Sequence, residues 1–292
     1  MHADDVLTDA ALVRQLVDSQ FPQWSDLPVV PIAEHGTDHL LYRLGDDLLV
    51  RMPRVAWAAD QAALEGRWLP VLAPHLPLAL PEQMALGEPT EDYPLPWSVV
   101  RWFAGGTPGD DNIDLVRAAE DLAAFVVALQ EVDTTGGPAK TGTSRGAPLE
   151  NLAETVDEHV RILDGEIDGA RARRVFEIAL DAGPWPGEPT WLHGDLQAGN
   201  LIVQERRLVA VIDWGGMGVG DPSCEYAPAW SLFAGESRRV FREASGVDEA
   251  TWARARAWVM IPALTGLPYY RETFPAFAET SRYRLTQVLA DV

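Results

Sequence analysis

Asp195 and Asn200 stand five residues apart in the segment Trp191-Leu192-His193-Gly194-Asp195-Leu196-Gln197-Ala198-Gly199-Asn200, and Asp213 follows thirteen residues later, directly before Trp214, Gly215 and Gly216. A carboxylate and an amide at that separation suit a loop, and the apolar runs Leu201–Val203 and Leu208–Ile212 on either side of Gln204–Arg207 read as a hairpin that brings Asp213 back to it. The chemistry open to such a set is phosphoryl transfer. That reaction needs a carboxylate to orient an attacking hydroxyl and accept its proton, and oxygen ligands that hold magnesium against nucleotide phosphates. A short loop followed by a tight hairpin can place one Asp at the nucleophile and an Asn–Asp pair at the metal. His193 reads as a brace that holds the loop by hydrogen bonds.

His193-Gly194-Asp195 with Asn200, followed by Ile212-Asp213-Trp214-Gly215, resembles the aminoglycoside phosphotransferase family. The resemblance implies a bilobal, protein-kinase-like α+β fold, with a small N-terminal antiparallel sheet and a helix, then a larger, mainly helical C-terminal lobe. It implies Asp195 as catalytic base and Asn200 and Asp213 as magnesium ligands, with Trp214 where protein kinases carry Phe. It extends less specifically to the N-terminal half. There Arg51 stands where protein kinases place a lysine against the nucleotide phosphates, and Glu65 stands where its helix partner would be. Arginine can pair bidentately with Glu65 and still present charge to phosphate, in a geometry unlike that of lysine. The turn Glu34–His39 has one glycine and falls where a phosphate-covering loop would lie. Val99–Phe103, Val100 included, is expected as the hinge that meets the adenine, with Ile202 and Ile212 packed near the base. Glu225 holds the place of an acid that braces the catalytic loop.

These residues need elements to carry them. Leu12, Val13, Leu16 and Val17 predict a helix over 9–18. Leu40–Leu44 and Leu48–Met52 predict a hairpin closed at Gly45-Asp46-Asp47, and Ala56–Leu69 a helix containing Glu65 and ending at Pro70. Met84–Leu86 and a loop rich in proline and acid lead to a strand from Trp97. Gly105–Asp111 is the best domain boundary, which gives an N-terminal nucleotide-binding lobe over 1–104 and a C-terminal catalytic and substrate-binding lobe over 105–292. Beyond it, Ile113–Val132 and Leu149–Leu180 are helical, and helices resume at Pro222 after the Asp221 N-cap signal.

Composition narrows the function. The 292 residues are 47% hydrophobic and 23% charged, as in a globular protein, and no apolar run is long enough to span a bilayer. Met1–Asp9 lacks the pattern of a secretory signal, and Cys224 is the only cysteine, so a reducing cytoplasm is expected. The formal charge of −21 disfavours nucleic acid and anionic membranes as partners and favours cations. No obligate protein partner is indicated.

The expectation is therefore a magnesium-dependent O-phosphotransferase that moves the γ-phosphate of ATP or GTP to a hydroxyl of a small molecule. The first choice of acceptor is an aminoglycoside-like cation, which would make antibiotic resistance the setting. The alternatives are a kinase of a macrolide or small metabolite, and a catalytically weak nucleotide-binding regulator.

Overall fold

The computed structural model describes residues 6–32, 38–109 and 111–292, so the turn expected over 34–39 lies largely outside the described residues. The chain divides into two compact units, one of Met1–Pro74 with Ala79–Gly105, the other of His75–Leu78 with Gly106–Val292.

The first unit is built on a five-stranded sheet. Its strands are β1 (Val29–Pro31), β2 (His39–Leu44), β3 (Leu48–Pro53), β4 (Gln83–Gly87) and β5 (Trp97–Arg101), in spatial order β1-β2-β3-β5-β4 with every neighbour antiparallel. Leu44 pairs with Leu48 across the β2–β3 hairpin, and Gly45 takes the φ of +62° that the turn requires and a side chain would resist. Helix α1 (Ala10–Gln20) is capped by the Asp9 carboxylate, which accepts from the Leu12 amide. Its Val13, Leu16 and Val17 are buried in one core with Tyr42, Val50, Met52, Trp97 and Val99.

Helix α2 (Gln61–Leu72) departs from expectation at both ends. Ala56–Ala58 makes only a separate 3-10 turn. At the other end Pro70 does not stop the helix, because a proline removes a single donor and α2 ends within a turn of it, where the Ala73 amide bonds the Leu69 carbonyl.

The second unit is mainly helical. Asp114 caps α3 (Leu115–Gln130), which buries Leu122, Phe125, Val126 and Leu129. The run 149–180 is two helices, α4 (Ala153–Ile162) and α5 (Gly169–Asp181), divided where Gly165 takes a φ of +76° and Asp168 caps the second. Two ribbons interrupt the helices. Strand β6 (Thr190–Leu192) pairs with β9 (Gly218–Gly220), and β7 (Leu201–Gln204) pairs with β8 (Arg207–Val211) through a left-handed turn at Glu205 and Arg206.

After these come α6 (Pro228–Ser231), α7 (Gly235–Ser245), α8 (Glu249–Tyr270) and α9 (Pro275–Leu289). Helix α8 is apolar round most of its circumference and is buried accordingly, packed on α5 and α9. Among the described residues, no helix is long and apolar enough to cross a membrane.

The ribbons are what position the chemistry-bearing residues. The loop of Asp195 runs from β6 to β7, and the loop of Asp213 runs from β8 to β9. Both loops are therefore held at both ends by paired strands.

Candidate active site

Burial and backbone bonding fix the loop of Asp195. Glu225 is fully buried, and its carboxylate accepts from the His193 amide at 3.0 Å and from the Gly194 amide at 2.8 Å. His193 accepts from the Asp195 amide at Nδ1 (3.1 Å), which leaves Nε2 to donate to the Ile212 carbonyl at 3.0 Å. Its ring meets Trp214 edge-on with centroids 4.7 Å apart. His193 thus ties the loop of Asp195 to the loop of Asp213, as a brace.

Gly194 lies where the two loops touch. Its φ is +81°, and a Cβ there would sit 2.3 Å from the Gly216 carbonyl oxygen. That approach is possible only without a side chain.

Asp195 is partly exposed and already engaged. Oδ1 pairs with Arg145 at 2.6 Å, while Oδ2 accepts from Gln197 Nε2 at 2.9 Å and from Asn200 Nδ2 at 3.3 Å. A carboxylate offers about four acceptor positions, so room remains for one hydroxyl. The Asn200 amide also donates to the Asp195 carbonyl at 2.9 Å, an orientation that turns its Oδ1 away from Asp195.

The Ile212 amide bonds the Asn200 carbonyl at 2.9 Å, so Asn200 and Asp213 leave the same end of the β7–β8 ribbon. Asp213 has a left-handed backbone (φ 63°, ψ 68°), uncommon for a residue with a side chain and most frequent where a site demands it. An amide oxygen and a carboxylate are the hard donors magnesium takes from protein when phosphates and water complete its shell. The donor set fits that ion.

Ile202 pairs with Ala210, and Ile212 follows two residues on, so both isoleucines fall on one face of the ribbon, each half-buried. In the first unit, Arg51 on β3 and Glu65 on α2 form an ion pair and are 7% and 2% exposed, so they are not ordinary surface charges. Val100 is buried on β5 opposite Leu49.

Residues 29–258 match the family model described as APH, phosphotransferase enzyme family. The chain belongs to that family. Over 111 residues this phosphotransferase is 29% identical to an aminoglycoside 3'-phosphotransferase of Escherichia coli, covering 38% of this chain and 41% of that one. Its fold is similar to that of the GDP complex of wild-type aminoglycoside 2'-phosphotransferase-IIIa, with a TM-score of 0.77 at 18% identity over 97% of this chain and 99% of that one. It is also similar to the apoenzyme of macrolide 2'-phosphotransferase MphH from Brachybacterium faecium, with a TM-score of 0.63 at 21% identity over 95% and 97% of the two chains. The α+β, protein-kinase-like fold expected from sequence is the fold of this phosphotransferase, and the protein is a small-molecule kinase.

Sequence reasoning missed four polar residues around the loop of this phosphotransferase. Arg145 bonds the Gly194 carbonyl at 3.1 Å as well as Asp195. Gln197 lies inside the loop and bridges Asp195 to Arg284 of α9. Lys140 donates to the Gly216 carbonyl at 2.7 Å, and burial lowers its pKa while the nearby Cys224 and Glu225 oppose that shift. One signal was available for Lys140, which is the only lysine in the sequence. For Arg145 and Arg284 there was none, since each reaches the loop from a distant part of the chain.

Proposed function

We propose that this phosphotransferase moves the γ-phosphate of ATP or GTP to a hydroxyl of a small molecule, with Asp195 orienting that hydroxyl. The observation that carries this reading is the bonding of the Asp195 loop: Glu225 below it, His193 across to Ile212, and Asn200 folded back on Asp195. Such a frame holds a carboxylate in one orientation with an acceptor position to spare, which is what in-line transfer asks of a protein.

In the proposed reaction the hydroxyl donates to Asp195, which takes the proton as the oxygen bonds to phosphorus and the nucleoside diphosphate leaves. Asn200 and Asp213 would hold magnesium, which when bound neutralises charge on the phosphates. In the first unit, Arg51 fixed by Glu65 is the proposed positive charge for phosphate and Val100 a proposed contact for the base, and in the second unit Ile202 and Ile212 offer an apolar face for a base. The relatives' names suggest an aminoglycoside-like acceptor or, from the likeness to a macrolide enzyme, a macrolide, and the net charge of −21 would speed the approach of a cation without fixing what the site holds.

The test is transfer from γ-labelled ATP and GTP, with magnesium, to a panel of aminoglycosides, macrolides and small hydroxylated metabolites, wild type beside Asp195→Ala. Transfer that disappears in the variant is expected. Nucleotide binding without hydrolysis or transfer by the wild type would favour the regulator reading instead.

A further inference from the structure

Beside Asp195 the second unit holds a half-open pocket walled by Arg145, Asp195, Gln197, Trp258, Pro262 and Arg284 among others. Its charges are unbalanced, since two guanidinium groups face one carboxylate. Arg145 is paired with Asp195. Arg284 is not paired. Among the described residues no carboxylate lies within ion-pair distance of it, and its hydrogen bond goes to the neutral amide of Gln197. Burial lowers its pKa, Asp195 offsets part of that effect, and Arg145 adds to it.

Two donors of the pocket wall also lack partners. Arg284 Nε and Trp258 Nε1 are both buried with no hydrogen bond. A pocket that presents two guanidinium groups, one of them with no carboxylate in ion-pair distance among the described residues, is suited to oxygen atoms bearing negative charge. The planar fork of arginine matches a carboxylate or a phosphate.

We propose that the acceptor of this phosphotransferase carries a carboxylate beside its hydroxyl, and that Arg284 receives it. This rests on the reading of Asp195 as the group that orients the hydroxyl. The acceptor is then a small hydroxylated acid. The overall charge of −21 does not argue against this, because exposed charges more than about 8 Å away are largely screened at physiological salt, whereas the arginines line the pocket itself.

Matched acceptors that differ only in charge test it: glycerate, glyceramide and 3-aminopropane-1,2-diol, then gluconate, gluconamide and glucamine, with kanamycin as a polycation. Binding is measured by calorimetry with magnesium and a non-hydrolysable nucleotide present, and transfer is measured separately. The expected result is that the carboxylate of each set binds about 10- to 100-fold more tightly than its amide, with the amine weakest. In Arg284→Gln that preference collapses, and in Arg284→Lys part of it returns.

Equal binding across a set, or tighter binding of the amines or kanamycin, overturns the inference, and does so on the wild type whether or not the variants fold. If Arg284→Gln raises the nucleotide KM and leaves the acceptor preference intact, the arginine serves the donor phosphates and the inference also fails. Transfer to an amine in preference to the matched carboxylate, lost in Asp195→Ala, would sink the carboxylate and leave the phosphotransferase reading standing. Carboxylate-selective binding with neither hydrolysis nor transfer would sink that reading and leave the pocket's selectivity standing.

Discussion

Glu225→Gln isolates the bracing of the Asp195 loop. The two carboxylate oxygens accept from consecutive backbone amides, His193 at 3.0 Å and Gly194 at 2.8 Å, in a fully buried place. Glutamine keeps the length and one oxygen but turns an NH2 toward the other amide. One charge-assisted bond is lost, the second weakens to a neutral one, and one buried N–H is left unmet, for a loss of about 2–4 kcal/mol of stability. Lys140 also loses a nearby negative charge. Because the two amides immediately precede Asp195, the loop shifts with them. A displacement of about 1 Å at a reacting group costs on the order of 100-fold in rate, so kcat should fall about 10- to 100-fold. The nucleotide KM should change little. Urea unfolding followed by tryptophan fluorescence, beside steady-state transfer, measures both quantities. A variant with the wild-type midpoint and wild-type kcat would refute the argument that this carboxylate holds the loop.

Other perturbations have equally definite outcomes. Asp195→Asn keeps the shape of the loop and should lower kcat by about 100-fold or more, measured by phosphate transfer at saturating nucleotide. Arg51→Met leaves Glu65 buried without its arginine and should lower stability by about 3–5 kcal/mol in chemical denaturation. His39 is buried in β2, and burial, then Arg51, hold its pKa well below the ordinary 6.5. The unfolded chain therefore takes up a proton that the native ring refuses as pH drops through about 6.5, so stability falls between pH 7 and pH 5. Denaturation at several pH values should show a shallower fall in His39→Asn. Burial, followed by Glu225 and Asp221, pushes the Cys224 thiol well up, so iodoacetamide should leave it unmodified in native protein at neutral pH and label it in urea.

What the sequence made legible was local. The spacing of Leu12, Val13, Leu16 and Val17, the Gly45 turn and the two apolar runs around Gln204–Arg207 each specify an element within about a dozen residues, and each element is present. The trio Asp195, Asn200 and Asp213 was legible for the same reason, since one short loop and one hairpin connect it. The β6–β9 ribbon was not. Gly218-Val219-Gly220 carries almost no side-chain pattern, and its strand exists because it pairs with Thr190–Leu192. Arg145 and Arg284 were illegible in a stronger sense: one lies within a glycine- and threonine-rich loop and the other on the last helix, and only the folded chain brings the first to Asp195 and the second to Gln197.

Those two arginines change how the charge of the chain should be used. A net −21 describes the field met by a molecule approaching from solvent, and such a field acts on encounter rates and weakens with salt. Affinity in a pocket is decided by the groups within a few ångströms, where screening is slight and each unmet charge is felt in full. Near Asp195 the sign is reversed, with Arg145 and Arg284 against a single carboxylate. Rising salt should therefore leave the discrimination between a carboxylate and its amide largely intact while it changes the rate at which either arrives. Stopped-flow binding of gluconate and gluconamide from low to high salt separates the two effects. A carboxylate preference that vanished with salt would assign the discrimination to the distant field and not to the arginines.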